Sequence, residues 1–574
     1  MSASQTLALI ALPLCGATEI PALLDTIGHD VRPAEAMTHV EAVWKTDRWF
    51  TFPKFHETSG NVAAMLRAAG AGNVEIVKAP ADGKTQYGFW TMPLAWDARS
   101  ATLTVEGSGE VLADYRREPA SLCMWSGPAK NTVADLALWE PGANVAGKFV
   151  LTEKNPAGIK HELVKAKVAG VLNGFSENRD LRDGRQWVNA WGDAGWAFTA
   201  SSTPLPCFSL NPDQGDRLRA RLQNGETIRL RANVDTRLYK DSYPYVTATI
   251  PGETNEEVLL LGHASEQGAH DNATGVAAMI EAIAAINRGI ARKALARPRR
   301  TIRVLIMGEY YGTHHYIASN RERIKRTIAA FCLDTPAGSY EAKGTEYTFH
   351  LNPWSGAAYT DALIAEIAEA YFPRVKRPWK LAPFMPGTDS FLGEPSIGIP
   401  TTWPYSGTGV HSHHNSRDTP DTVDERSLRD LTIVAATYVY YLANAGQVEA
   451  MFLGTSIRRW PEGISRTLAL KSLQRIDPNV VPRVTITPRI VQGPKPRRLR
   501  FGTIPLDDLA VDKRNGFPSG AWDARAGLAL YWADGKRTIE QIIALTEKEA
   551  GPSKFNYEAY FRFLARHGYI AIDE

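Results

Sequence analysis

Apolar runs that stop at an acidic or imidazole side chain mark the middle of this chain. Val258 to Leu261 is uninterrupted and ends in Gly262-His263, and after a short polar loop Asp271-Asn-Ala-Thr-Gly275 opens a helical pattern. A short continuous apolar run bounded by turn residues reads as a strand buried on both faces. Arg303 to Gly308 is a second run, ending in Glu309-Tyr310-Tyr311-Gly312, and Ala329 to Leu333 is a third, ending in Asp334. Further on, His411-Ser-His413-His414-Asn-Ser-Arg-Asp418-Thr-Pro-Asp421 is a polar loop rich in imidazole and carboxylate. Strands alternating with helices predict an α/β fold in which side chains at the carboxyl ends of strands gather on one edge. One such residue is usually a cap or a turn former; four segments in chain order are hard to ascribe to coincidence. A His and an Asp on that edge are placed to bind a metal.

The pattern changes on either side. Within 36–80 the first part reads as helix, with Val43, Met65 and Leu66 apolar and Gly70-Ala-Gly72 as the stop, and Asn73 to Val77 alternates like a strand. Residues 102–236 are β-rich; Gly147 to Thr152 is followed by a helix around Leu163 to Val168 and by Ala169 to Leu172. Arg292 to Arg300 reads as a solvated basic connection, and residues 477–500, ending Pro494-Lys-Pro-Arg-Arg-Leu-Arg500, as a basic linker. From about 515 a small α+β module is predicted: helical spacing at Leu528–Trp532, Thr538–Leu545 and Tyr557–His567, then a strand at Gly568–Ile572. That order is winged-helix-like. Its third helix carries only Arg562 and Arg566, so subunit contact is favoured over nucleic acid, which is not expected as a partner. The expected organisation is 1–101 and 237–450 for the enzymatic core, 102–236 inserted, 451–514 linking, and 515–574 as the module.

Composition narrows the class. A chain of 574 residues is too long for one domain, and a net charge of +3 gives no push toward nucleic acid or membrane. The four cysteines, Cys15, Cys123, Cys207 and Cys332, have neither metal-site nor disulfide-framework spacing. Thr6 to Leu14 is apolar but lacks a preceding Lys or Arg, and no apolar stretch was expected to reach the ~18–20 residues that span a bilayer. A cytoplasmic protein is expected, with secretion left open.

The order His263, Asp271-Asn-Ala-x-Gly275, Glu309 after a strand, Asp334 after a strand, and His414-x-x-x-Asp418-Thr-Pro resembles the co-catalytic zinc aminopeptidases of metallopeptidase family 28. The resemblance covers about 240–450 well and 36–100 weakly, and it implies an α/β fold with a phosphorylase/hydrolase-like mixed sheet flanked by helices. It implies one or two zinc ions: His263 and Asp334 on one, Asp271 bridging, His414 on the second. It implies Glu309 as the general base for metal-activated water, and it likens 102–236 to a protease-associated domain that roofs the site.

Two positions depart from that family. Tyr310 stands where a second Glu ligates zinc, and Ser265 stands where an Asp orients the first His. Loss of such an outer carboxylate typically weakens a metal about 10–100-fold. Three repairs stay open: Glu266 supplies the missing ligand, His270 or His413 enters, or a single metal is held by His263, Asp271 and Asp334. Tyr310 itself is a further candidate ligand, though a phenol with a pKa of about 10 is a poor one. Asp389 is a candidate for contact with substrate or with a ligand. Arg417 and Asp418 are expected to form the turn that aims His414, and His314 and His315 to lie at a surface or a cap. Of Trp90, Trp96, Trp187, Trp191 and Trp196, most are expected in the core.

The expected function is a zinc-dependent amide hydrolase, an aminopeptidase or dipeptide/acyl-amino-acid hydrolase, acting on a peptide or small amide, with the C-terminal module available for homo-oligomer contacts. A metal-poor binding or regulatory protein, and a cyclase-like enzyme on the same site, are the alternatives.

Overall fold

In the computed structural model, which describes residues 15–189, 191–193, 198–339, 346–406, 412–480, 492–506 and 509–573, the three apolar runs become neighbouring parallel strands. Thr6–Leu14, Trp196 and His411 lie outside the described residues. Glu257–Ala264 sits between Thr301–Gly308 and Thr327–Cys332, with every residue of it buried, which is why its sequence shows no alternation. These strands are the centre of an eight-stranded mixed sheet, ordered Gly72–Ala81, Asp241–Ile250, Thr301–Gly308, Glu257–Ala264, Thr327–Cys332, Thr401–Tyr405, Tyr347–His350, Trp379–Ala382. Asp241–Ile250 runs antiparallel to both its neighbours, and Thr401–Tyr405 is parallel to Thr327–Cys332.

Helix Ala273–Ala291 packs over this sheet with helices Glu425–Asn444 and Pro33–Asp47. At 19 residues it is long and apolar enough to cross a membrane by length and composition, against the expectation that no stretch would be. Its apolar window is 83% buried, so core packing accounts for its character. The helix foreseen before Gly70 is two helices, Pro33–Asp47 and Phe52–Ala68, broken where Phe50 takes φ 44° and Pro53 starts the second.

A second, seven-stranded sheet is ordered Val111–Asp114, Ala95–Val105, Arg229–Tyr239, Ala129–Leu138, Phe149–Thr152, Gly170–Asn173, Cys207–Ser209, the last four mutually parallel. Its crossover helix is Pro156–Lys165, earlier than expected, because the Asn155 side chain accepts from Ala157 N (3.1 Å) and Pro156 takes the first helical position.

At the carboxyl end, helices Ala524–Tyr531, Ile539–Ala550 and Tyr557–Arg566 are capped by Asp523, Thr538 and Asn556, and strand Ile570–Asp573 follows. That strand pairs antiparallel with Lys495–Arg498, so the basic run is part of this unit's sheet as well as a connection. Arg498 reaches Glu394 at 2.9 Å, both buried. The other basic stretch is also less solvated than its composition suggests. Arg300 is buried, pairs with Glu256 (2.7 Å) and donates to the carbonyls of Leu442, Ala445 and Ile476. The carbonyls at the end of helix Glu425–Asn444 need donors, and a guanidinium supplies several at once.

Candidate active site and its metal-binding residues

The carboxyl ends of the three central strands deliver His263, Glu309 and Asp334 to one spot. His263 Nε2 lies 3.3 Å from Asp334 Oδ1 and 3.7 Å from Asp271 Oδ1, and the other oxygen of Asp271 lies 3.2 Å from His414 Nε2. Asp271 therefore stands between two imidazoles. Glu266 Oε2 is 3.8 Å from His414 Nε2. Three overlapping groups have donor atoms within 4.8 Å of one another: His263–Glu309–Asp334, His263–Glu266–Asp271 and Asp271–His413–His414. Asp271 Oδ1 is buried with no hydrogen-bond partner, an arrangement that costs free energy unless a cation sits beside it.

Two polar side chains build this edge. Asn272 donates to the carbonyls of His263 (3.0 Å) and Leu333 (2.9 Å) and accepts from Gly275 N and Thr335 N (3.2 Å each). One amide thus ties two strand ends to the start of helix Ala273–Ala291. Asp418 accepts from His270 N (2.7 Å) and Asp271 N (3.0 Å), and burial pushes its carboxyl up to about 8. It holds the Asp271 loop and also closes the expected turn after His414, its N–H donating to the Asn415 carbonyl (2.9 Å); its neighbour Arg417 pairs with Asp183 of the inserted part. His414, at φ 49°, is braced instead by Trp187, whose backbone N–H donates to the His414 carbonyl (2.7 Å) and whose ring stacks on the imidazole at 5.2 Å.

Electrostatics separate the two imidazoles. Burial alone would push His263 down, but Asp334 and Glu309 raise it well above its ordinary value. His414 is lowered, by burial first and by the His413 charge second. Burial opposes the Asp271 anion, yet the hydrogen bond from His414 and the imidazole charges hold its carboxyl below the usual range. Burial, followed for Glu266 by Asp271, raises both Glu266 and Glu309 well above the carboxylate range; His263 opposes the rise at Glu309. So many carboxylates in one dry cluster are unfavourable without a compensating positive charge.

Several expected residues land elsewhere. Tyr310 is fully buried in an aromatic stack. Its ring stacks on Trp90 (4.4 Å, 6°) and Phe391 (5.4 Å), its hydroxyl accepts from Gly387 N (3.1 Å), and burial raises it well above the ordinary phenol value. A large aromatic ring finds more contact there than among carboxylates. Asp389 is buried behind the Glu309 turn, accepting from Tyr310 N (3.0 Å) and Thr313 Oγ1 (2.6 Å), its carboxyl pushed by burial to about 6. His314, expected at a surface or cap, is fully buried against Trp90, Phe391 and Phe501; burial lowers it to about 3, so it is a neutral ring in an aromatic stack. His315 is half-buried, 3.1 Å from the Tyr245 hydroxyl. His270 Nε2 meets Ser406 Oγ (3.2 Å), whereas His413 joins the cluster with its Nδ1 on Glu177 (2.7 Å). Trp90, Trp96 and Trp191 are core residues; Trp187 is buried but lines the cavity.

The cluster floors a cavity of about 500 Å³. Its walls include Gln186 to Asn189 from the inserted part, Met385, Trp403 and Tyr405 from the core, and Arg514, Ser519 and Trp522 from the carboxyl-terminal segment. Two partners of the cluster escaped the sequence reading. Asn189 Nδ2 donates to Glu266 Oε1 (2.9 Å). Asp47, at the end of helix Pro33–Asp47, is buried; one oxygen accepts from Ser265 N (2.8 Å) and the other from the Thr58 hydroxyl (2.5 Å). Burial raises its carboxyl to about 7, and the nearby His263 charge draws it down. A carboxylate thus reaches the Ser265 position from 218 residues away, a link no local motif could signal.

The family model described as Peptidase family M28 matches residues 245–439. No curated protein sequence matches the chain. Among solved structures, a candidate peptidase from Clostridium acetobutylicum is similar over 97% of this chain and 100% of its own, at 15% identity and a TM-score of 0.53. A peptidase M28 precursor from Shewanella amazonensis is similar over 75% of this chain and 98% of its own (14% identity, TM-score 0.54). BSAP, a zinc aminopeptidase from Bacillus subtilis, is similar over 71% and 95% (14% identity, TM-score 0.50). At such identities the likeness is one of fold: a large mixed sheet flanked by helices.

Proposed function

We propose that this zinc metallopeptidase is an aminopeptidase-type hydrolase of short peptides with a two-zinc site in which Glu266 takes the place left by Tyr310. The observation that carries this reading is Asp271, one oxygen toward His263 and the other toward His414, with Glu266 beside both imidazoles and Asp334 on the far side of His263 Nε2. Imidazole nitrogen and carboxylate oxygen in this number suit zinc, and the orphaned Asp271 Oδ1 fits a cation. His263, Asp334 and Asp271 would hold one ion, and Asp271, His414 and Glu266 the other. When bound, zinc supplies Lewis acidity toward the substrate carbonyl and makes water a better nucleophile near neutral pH.

The rest is the work of this chain. Glu309, raised by burial and opposed by His263, is a carboxylate whose proton affinity suits a base that must also act as an acid. It accepts a proton from the attacking water as the C–O bond forms, and returns it to the leaving nitrogen as the C–N bond breaks. Asp47, behind Ser265, adds a carboxylate near His263 without bonding its ring, whose Nδ1 has no hydrogen-bond partner among the described residues, and Asn189 and Trp187 hold Glu266 and His414 in place. We read the inserted part as a roof of the protease-associated kind and the last unit as winged-helix-like. Glu309→Gln tests the base: hydrolysis of aminoacyl amides should be lost while zinc content is kept. Activity retained in that variant would refute its role.

A further inference from the structure

One wall of the cavity comes from outside the M28 domain. Arg514, Ser519 and Trp522 border the same space as Asp271 and Glu309. This segment is fastened to the core on several sides: Arg498 to Glu394 (2.9 Å), Trp354 N to Glu549 (2.8 Å), and the Trp522 ring edge-on to Tyr310 at 5.5 Å. The wall is therefore part of the folded enzyme.

Charge is unevenly spread around the space. Glu177, Glu266, Asp271, Glu309 and Asp334 all line it, and Arg514 is the only Lys or Arg among the described lining residues. Arg514 is half-buried after the turn Val511–Lys513, and its Nε donates to the Leu509 carbonyl at 3.1 Å, which orients the guanidinium plane. A guanidinium offers a planar fork of donors that matches a carboxylate. The volume lies within the ~300–1,000 Å³ of pockets that enclose small ligands, room for a short peptide and little more.

We propose that the carboxyl-terminal segment reads the leaving-group side of the substrate, with Arg514 binding a carboxylate there, so that the preferred substrates are peptides of two or three residues. The inference rests on the peptide-hydrolase reading and adds the substrate class to it. The carboxylate is either the chain-terminal one or an acidic side chain next to the scissile bond, and three substrates separate these sources.

The test measures kcat and KM of the zinc-loaded full chain and of Arg514→Gln on Ala-Ala, Ala-Ala amide and Ala-Glu amide. Loss of a charge-assisted hydrogen bond predicts a fall of about 10–100-fold in kcat/KM on Ala-Ala, carried by KM. The fall on Ala-Ala amide should be far smaller. A matching loss on Ala-Glu amide would assign the contact to side-chain carboxylates as well; its absence would assign it to the chain terminus. Arg514→Lys, which keeps the charge without the fork, should show a smaller, acid-selective loss and serves where the Gln variant does not fold. Equal losses on the acid and its amide would overturn the proposal and leave the hydrolase reading intact. A wild-type enzyme that cleaves none of these, nor longer aminoacyl peptides, would overturn both.

Discussion

His263 and Asp47 meet at the same corner of the site but arrive by different routes. His263 is carried there by a fully buried parallel strand, and Glu309 and Asp334 by the strands on either side. Asp47 comes from the last turn of an amino-terminal helix, Asn189 from the inserted part, and Arg514 from the carboxyl-terminal segment. The first set is fixed by local sequence and sheet register. The second depends on how distant parts of the chain pack. In the proposed reaction, the central chemistry sits on the first set and its tuning on the second.

The largest effect that bears on this division is expected at Glu309. Glu309→Gln should lower kcat by about 10²–10⁴-fold, the usual contribution of a general base, with zinc per chain unchanged by elemental analysis. Next comes Asp47→Asn, which keeps an acceptor for Ser265 N but removes the charge near His263. Zinc affinity, read by competition with a chelator, should fall, by less than the roughly 10–100-fold of an outer carboxylate bonded to its ligand. An unchanged affinity would reduce Asp47 to a structural role. Tyr310→Phe should be nearly silent in zinc content, since its hydroxyl accepts from Gly387 N and its ring lies in an aromatic stack; loss of zinc there would reinstate the phenol as a ligand.

A smaller effect is expected from pH. Burial raises Glu549 from its ordinary 4.5 to about 8, so the fold favours its protonated form. Its contribution to stability is then complete below about 4.5 and is lost as the pH rises through about 8. Glu549→Gln should flatten the fall in unfolding free energy between about pH 4.5 and 8 by about 1–2 kcal/mol, allowing for the partial exposure of the group. A pH profile unchanged by the substitution would show that Glu549 is already ionised in the folded state.

How much could be read from sequence follows the same division. The apolar runs ending in Gly262-His263, Gly308-Glu309 and Leu333-Asp334 were legible because central parallel strands must be apolar on both faces and end abruptly in polar residues. Glu266 was legible only as one repair among three. Its 3.8 Å approach to His414, the ground for proposing it, is a tertiary distance. His314 was misjudged because its neighbours in space, Trp90, Phe391 and Phe501, are far away in sequence. The basic run before Arg500 looked like a linker because its strand partner, Ile570–Asp573, is at the other end of the module.

The central claim is that Glu266 replaces the ligand lost to Tyr310, and zinc stoichiometry tests it most directly. Protein purified without chelator and equilibrated with limiting zinc should hold about two ions per chain, and Glu266→Ala about one, with Glu309→Gln matching the wild type. Equal zinc in wild type and Glu266→Ala would contradict the assignment, and a wild type that binds none would remove the metal site altogether.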